Sequence, residues 1–213
     1  MARDLIASRL ARKGLVLVSV FMRITGGAHR SRELLAPRGN ATRPTADRVR
    51  EALFSILTSR GVVSGARVLD LFAGTGALAL EALSRGAREA VCVEHARDAL
   101  QALRANLSAL GLERSVVVIA QRVERSAGAL SGAFDLVFCD PPYALVREGG
   151  VAPVVAELAA RGRFAPGAEL VLEHDAKDAP PELAGFVLAT TRAYGDTALT
   201  FYERSADDAP ATG

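Results

Sequence analysis

Three features of the chain predict an α/β fold built on one mostly parallel sheet. From Arg67 onward, short β-prone runs alternate with amphipathic helical segments, the rhythm of strand–helix–strand units. A glycine turn, Gly74-Thr75-Gly76, leads from the first of these strands straight into a helix. The last two apolar runs are separated only by Arg192-Ala193-Tyr194-Gly195-Asp196, too short for a helical crossover, so they are expected to close an antiparallel hairpin at the sheet edge. A dinucleotide-binding sheet normally continues parallel, and this ending departs from it.

The elements follow in order. Residues 1–21 place Arg3, Arg9, Arg12 and Lys13 ahead of an apolar run, Leu15 to Phe21, that imitates an export signal. The run is short, Ser19 interrupts it and no small-x-small cleavage site precedes Arg23. It reads better as a basic lead-in, or as the product of a start placed ahead of Met22. From Leu15 to Leu35, two β-prone stretches flank Thr25-Gly26-Gly27 with Arg30 and Arg32 near the turn, so residues 22–45 are read as a basic hairpin and linker. Thr45 is expected to cap a helix with Val49, Leu53, Phe54 and Leu57 on its inner face and Asp47, Arg48, Arg50 and Glu51 on its outer face. Strands are expected near 67–71, 90–94, 116–119, 134–139, 168–173, 186–191 and 198–203. Helices are expected near 76–85, 96–109, 122–130 and 151–160. The catalytic unit is residues 46–204, and 205–213 are expected to be a disordered tail.

With 213 residues the chain can bury one α/β domain plus a small appendage. Half of it is hydrophobic, but much of that is alanine and no stretch approaches the ~20 apolar residues of a membrane span, which points to a soluble protein. Cys92 and Cys139 lie in separate strand-like runs without a CxxC pair, so reduced buried thiols in a cytoplasmic protein are expected, with no metal site. Residues 1–60 hold twelve Lys/Arg against four Asp/Glu, whereas the remainder holds fourteen against twenty. A basic front end on an acidic body suits docking to a polyanion; the competing reading is an ordinary solvated basic surface.

Two motifs carry chemistry. In Asp70-Leu71-Phe72-Ala73-Gly74-Thr75-Gly76, the glycines permit a tight turn and the helix start presents N–H groups to a nucleoside ligand, while Glu94 ends the second strand where a ribose-binding carboxylate belongs. The loop alone fits either a dinucleotide or S-adenosylmethionine. Asp70, placed to face a cationic amino group, and an acceptor-lined site at the end of the run Phe134 to Cys139 favour the latter; a hydride enzyme would also want a proton donor, and His95 and His174 read instead as surface or edge histidines. The second motif is Asp140-Pro141-Pro142-Tyr143, at the end of the run Phe134 to Cys139. Prolines have no N–H, so their carbonyls and the Asp140 carboxylate form a rim of acceptors, the complement of an exocyclic amino group, and Tyr143 adds a face for stacking a base. As a tetrapeptide it is equally compatible with a proline-rich turn.

Met22-Arg23-Ile24-Thr25-Gly26-Gly27, the stretch Arg43 to Phe54, Asp70 to Gly76, Glu81 to Ala87 and Asp140 to Tyr143 together resemble, in order, the bacterial RsmD family of 16S rRNA guanine-N2 methyltransferases. The resemblance covers about Met22 to Arg204. It implies a class I S-adenosylmethionine-dependent methyltransferase fold, a Rossmann-like seven-stranded sheet with its last strand antiparallel, extended by a small N-terminal β-hairpin. It implies S-adenosylmethionine as donor, with S-adenosylhomocysteine as product. The acceptor it implies is a guanine of 16S rRNA, within the 30S subunit or a late assembly intermediate. A monomer is expected. Carried over by position, Phe72, Ala73, Gly74 and Gly76 line the donor, Glu94 holds its ribose, Asp140 and the Pro141 carbonyl take the guanine amino group and Tyr143 stacks on the base. Gln121 stands where the family places an Asp or Asn on the adenine. Arg23, Arg30, Arg32 and Arg43 are assigned to RNA. The same rim serves adenine-N6 and cytosine-N4 of DNA or another RNA, and a non-catalytic RNA-binding assembly factor is the further alternative.

Overall fold

A computed structural model describes residues 22–36 and 44–205 of the chain. The expectations for residues 1–21, for Arg43 and for the tail from 206 lie outside the described residues. The order is β1 (Met22–Arg23), β2 (Glu33–Leu34), α1 (Pro44–Ser59), β3 (Arg67–Asp70), α2 (Ala77–Ser84), β4 (Glu89–Glu94), α3 (Arg97–Leu110) and β5 (Val116–Ala120). Then come β6 (Phe134–Cys139), α4 (Tyr143–Arg147), α5 (Val151–Ala160), β7 (Phe164–Asp175), β8 (Phe186–Tyr194) and β9 (Thr197–Arg204).

Seven strands form one sheet in the order β5-β4-β3-β6-β7-β9-β8. The first five are parallel, and β9 runs antiparallel between β7 and β8. The expected hairpin therefore forms, but its second strand is inserted and β8 becomes the edge. The chain winds outward from β3 to β5 and then returns to place β6 on the other side of β3. The crevice beyond the ends of β3 and β6 is thus the topological switch point, where ligands of open α/β sheets bind.

Alternation with period two sorts the strand residues between two cores. Val68, Cys92, Leu136, Phe138, Val171, Leu199 and Phe201 face α1, α2 and α3. Leu69, Val91, Val137, Cys139, Leu170, Leu172 and Tyr202 face α5 and the 123–130 segment. Val49, Leu53, Phe54 and Leu57 of α1 are all buried, and Phe54 packs on Phe138 with ring centroids 5.6 Å apart. Arg60, just past α1, pairs with Glu169 near the level of Leu136 in β6, so α1 descends along the sheet.

Several expectations need correction. Helix α1 starts at Pro44, not after a Thr45 cap; proline suits the first helical turn, where its missing N–H costs nothing. Arg50 is not on the solvent face but 5% exposed. The helix expected over 122–130 is a single 3-10 turn, Val123–Arg125, followed by turns. Val123, Ala127 and Leu130 are buried at helical spacing, but the backbone closes i→i+3 bonds and the Ser126 hydroxyl donates to the Val123 carbonyl, competing with a regular helix. His174 is buried, with Nε2 on the Thr200 hydroxyl at 2.8 Å and Nδ1 on the Asp175 carbonyl at 2.9 Å. Cys92 and Cys139 are buried free thiols, and burial pushes both pKa values up. No helix among the described residues is long and apolar enough to cross a membrane.

The N-terminal hairpin is docked rather than free. The Glu81 carboxylate in α2, fully buried, accepts from the Thr25 amide (2.8 Å), the Thr25 hydroxyl (2.7 Å) and Arg85 Nε (2.8 Å), with Arg50 Nε at 3.6 Å. Arg50 also donates to the Arg23 carbonyl at 2.6 Å and to Asp47 at 2.8 Å, tying α1, α2 and the hairpin into one knot. The Ser84 hydroxyl donates to the Gly26 carbonyl, and Gly27 lies so close to the helix end that a Cβ there would sit 1.8 Å from the Ser84 carbonyl oxygen.

Candidate active site

The first motif forms where β3 ends. Asp70 is the last residue of the strand and points, like Val68, to the face of α1 to α3. It is 1% exposed; Oδ2 accepts from the Ala79 amide at 3.3 Å, and Oδ1 has no protein partner. Burial, reinforced by the Glu94 charge, raises its pKa to about 7. An orphaned buried carboxyl oxygen at this position is what a bound ammonium group would complete. Phe72, Ala73 and Gly74 follow, and Gly76 (φ +81°) caps α2 in the left-handed region. A Cβ on Gly76 would meet Leu103 Cδ1 at 2.3 Å, so any other residue here would have to displace the Leu103 side chain as well as adopt a left-handed backbone.

Glu94 ends β4 and holds this loop. Its Oε2 accepts from the Gly74 amide at 2.8 Å, and Oε1 accepts from the His95 and Ala96 amides at 2.6 and 2.7 Å. A carboxylate has about four acceptor positions, so a place for a hydroxyl remains on Oε2. His95 itself is exposed. Gln121 follows β5 one residue beyond Ala120, the partner of Glu94, and its side chain is exposed at that strand end. Asp70, Glu94 and Gln121 thus line up along the ends of β3, β4 and β5 as a row of polar side chains beside the glycine loop.

The second motif ends β6. Asp140 continues the alternation of Leu136 and Phe138, so it shares a face with Asp70 on the neighbouring strand. Its carboxyl is open to solvent yet ringed by the ends of three strands. That enclosure raises its pKa well above the usual carboxylate range, and the charges of Glu173 and Asp70 add to the rise. The expected acceptor rim is narrower than the prolines suggest. Pro142 caps α4 and its carbonyl accepts from Leu145 N at 2.8 Å, which leaves Pro141 as the backbone acceptor beside Asp140. The half-buried Tyr143 opens α4, with its hydroxyl 2.9 Å from Thr197 Oγ1 and 3.5 Å from Glu173 Oε1, and burial raises its pKa.

Glu173 is the site residue that the motifs miss. Cys139 of β6 pairs with Leu172 of β7, so Asp140 and Glu173 stand side by side on one face. Burial raises the Glu173 pKa as well. A strand-end acid in Leu172-Glu173-His174 is visible in the chain, but its neighbour is not.

Arg23, Arg30 and Arg32, three of the residues assigned to RNA, sit elsewhere. Arg23 pairs with Glu33 at 3.3 Å and Arg32 donates to the Ala109 carbonyl at 2.6 Å, while Arg30 is exposed. The hairpin turn meets Ser84 and Arg85, at the opposite end of α2 from Gly76, which is ~12 Å of helix away.

A glycine loop at the switch point, an acceptor rim on the adjacent strand and an inserted antiparallel last strand are the features of a class I methyltransferase. The family model described as conserved hypothetical protein 95 matches residues 22–203. The ribosomal RNA small subunit methyltransferase D of Escherichia coli K12 is 37% identical over 187 residues, 87% of this chain and 91% of that protein. Among solved structures, the Escherichia coli protein yhhF superposes with a TM-score of 0.76 at 34% identity, covering 87% of this chain and 99% of that one. A hypothetical protein of Thermus thermophilus superposes with a TM-score of 0.69 at 37% identity, covering 84% and 98%. The chain belongs to the RsmD methyltransferase family.

Proposed function

We propose that the enzyme transfers a methyl group from S-adenosylmethionine to the exocyclic N2 of a guanine in 16S rRNA, presented by the 30S subunit or a late assembly intermediate. The observation that carries this reading is the placement of Asp140, a carboxylate with no ion-pair partner among the described residues, one strand away from the orphaned Asp70 at the switch point. One half of the crevice suits a cationic nucleoside, and the other suits an amino group.

When bound, S-adenosylmethionine supplies an electrophilic methyl group on a sulfonium. Asp70 would face its ammonium group, Glu94 its ribose and Gln121 its adenine, with Phe72, Ala73, Gly74 and Gly76 forming the wall. Asp140 and the Pro141 carbonyl accept from the guanine amino group and aim its nitrogen at the methyl carbon; Tyr143 lends a ring face to the base. With the donor bound, the amino nitrogen so held would take the methyl group, the C–N bond forming as the donor's C–S bond breaks to leave the thioether. A neutral aryl amine is a weak base, so its proton departs after the methyl arrives, and Asp140 stabilises the positive charge that develops on nitrogen. Arg23, Arg30 and Arg32 at the hairpin supply phosphate contacts away from the reacting base, and Arg43, outside the described residues, is assigned to RNA as well.

The test is transfer of a labelled methyl group to 30S subunits from cells lacking this gene, with the modified nucleotide mapped. Labelled N2-methylguanine in 16S rRNA is expected. Methylation of duplex DNA in place of 30S subunits, or no calorimetric binding of S-adenosylhomocysteine, overturns the proposal.

A further inference from the structure

Glu173 has no part in the scheme above, yet it stands beside Asp140 on the same face of the sheet. Neighbouring strands are ~4.8 Å apart, a spacing that lets two carboxyl groups meet adjacent donors on one edge of a base. Among the described residues, its one side-chain donor is the Tyr143 hydroxyl at 3.5 Å, the outer limit of a hydrogen bond. That hydroxyl is better placed on Thr197 at 2.9 Å. Glu173 is therefore a partly buried carboxyl group, aimed at the crevice and lacking a close protein partner.

The three bases that carry exocyclic amines differ in what lies beside the amine. In guanine it adjoins a ring N–H, so two donors lie next to each other. In adenine and cytosine the neighbouring ring nitrogen only accepts. We infer that Glu173 is a specificity-determining residue: with Asp140 it forms a two-acceptor edge that takes the ring N–H and the amino group of guanine together, and repels the ring acceptor of adenine or cytosine. The inference rests on the guanine reading above. It also gives a reason for two unneutralised acids at one site: both become acceptors once a donor pair arrives, and their mutual repulsion is relieved by it.

The experiment compares 30S subunits reconstituted with 16S rRNA carrying either guanine or 2-aminopurine at the mapped position. 2-Aminopurine keeps the amino group but replaces the ring N–H with an acceptor. The wild-type enzyme is expected to prefer guanine by about 100-fold or more in kcat/KM, because the analogue leaves Glu173 unpaired. In Glu173→Gln the amide can turn its NH2 toward the ring acceptor, so the preference should shrink to about tenfold or less while S-adenosylhomocysteine affinity stays within about twofold. Loss of the 6-oxo group affects both enzymes alike, so the change in ratio reports on Glu173. Equal losses on both substrates, or no change on either, overturn the inference. Should Glu173→Gln fail to fold, Glu173→Asp replaces it. A retained guanine preference with lower kcat/KM supports the two-acceptor edge, and a lost preference overturns it. If the wild-type enzyme transfers no methyl to guanine-bearing subunits, the functional reading itself fails, before any variant is compared.

Discussion

Glu81 and Asp70 are both buried carboxyl groups on the same side of the sheet, at 0% and 1% exposure, yet their surroundings are opposite. Glu81 collects the Thr25 amide and hydroxyl and faces both Arg50 and Arg85. Asp70 receives one long amide bond and keeps an orphaned oxygen. Asp140, open to solvent, and the partly buried Glu173 share the second pattern's raised pKa values and, among the described residues, have no close cationic partner. The contrast separates a structural centre from a functional one. A fully paired buried acid holds three elements together, whereas an acid left with an orphaned oxygen in a crevice marks a candidate ligand site.

The strongest way to break the contrast is to remove the paired acid. Glu81→Ala leaves Arg50 and Arg85 facing an empty buried position and is expected to cost about 3–5 kcal/mol in chemical denaturation, since a lone buried charge is far worse than a pair. A loss below about 1 kcal/mol would mean that the hairpin is not held by this knot.

Asp70 tests the other side. Its pKa rises from 3.8 to about 7 on folding. The folded state therefore holds the proton longer than the unfolded state, and the contribution to stability is whole below pH 4 and is lost as pH climbs to 7. One pKa unit is about 1.4 kcal/mol, so the loss has an upper bound of about 4 kcal/mol. Asp70→Asn should flatten that slope in thermal melts between pH 4 and 8 while weakening binding of S-adenosylhomocysteine. If the variant bound it as tightly as wild type, Asp70 would be a helix cap and nothing more.

Removing Asp140 should spare the fold and stop the chemistry. Asp140→Ala is expected to lower kcat on 30S subunits by about 10²–10³-fold, equivalent to about 3–4 kcal/mol, with the melting temperature almost unchanged. Near-normal turnover would remove Asp140 from the reaction. The smallest effect belongs to the hairpin surface. Arg32→Ala loses one exposed bond to the Ala109 carbonyl and should cost about 1 kcal/mol or less. The exposed Arg30, changed to Ala, should weaken RNA binding uniformly and reduce the salt dependence by about one counterion.

The glycine loop, Glu94 and Asp140-Pro141-Pro142-Tyr143 were legible because each is a local signal, a turn or a strand end with a side chain of fixed chemistry. The strands from 67 to 139 were legible for the same reason, through their period and length. Arg50 was not, because on a helical wheel it belongs with Arg48 and Glu51, and it turns inward only because the hairpin carbonyl at Arg23 and Glu81 on α2 meet it there. The 122–130 segment misled because buried spacing at Val123, Ala127 and Leu130 satisfies a helix pattern that the backbone does not follow.

The chain alone determined the α/β class, the glycine loop after the first strand of the large sheet, the position of Asp140-Pro141-Pro142-Tyr143 at a strand end and the antiparallel ending, since turn chemistry and hydrophobic period act over a few residues. The tertiary structure decided which acids meet. Glu173 joins Asp140 through the β6–β7 register, Asp70 shares their face through the β3–β6 pairing, and Glu81 meets the charge of Arg50, 31 positions away, and the donors of Thr25, 56 positions away in the chain. Strand order and register are non-local, and a carboxylate's role depends on the donors and charges that the fold carries to within a few ångströms of it.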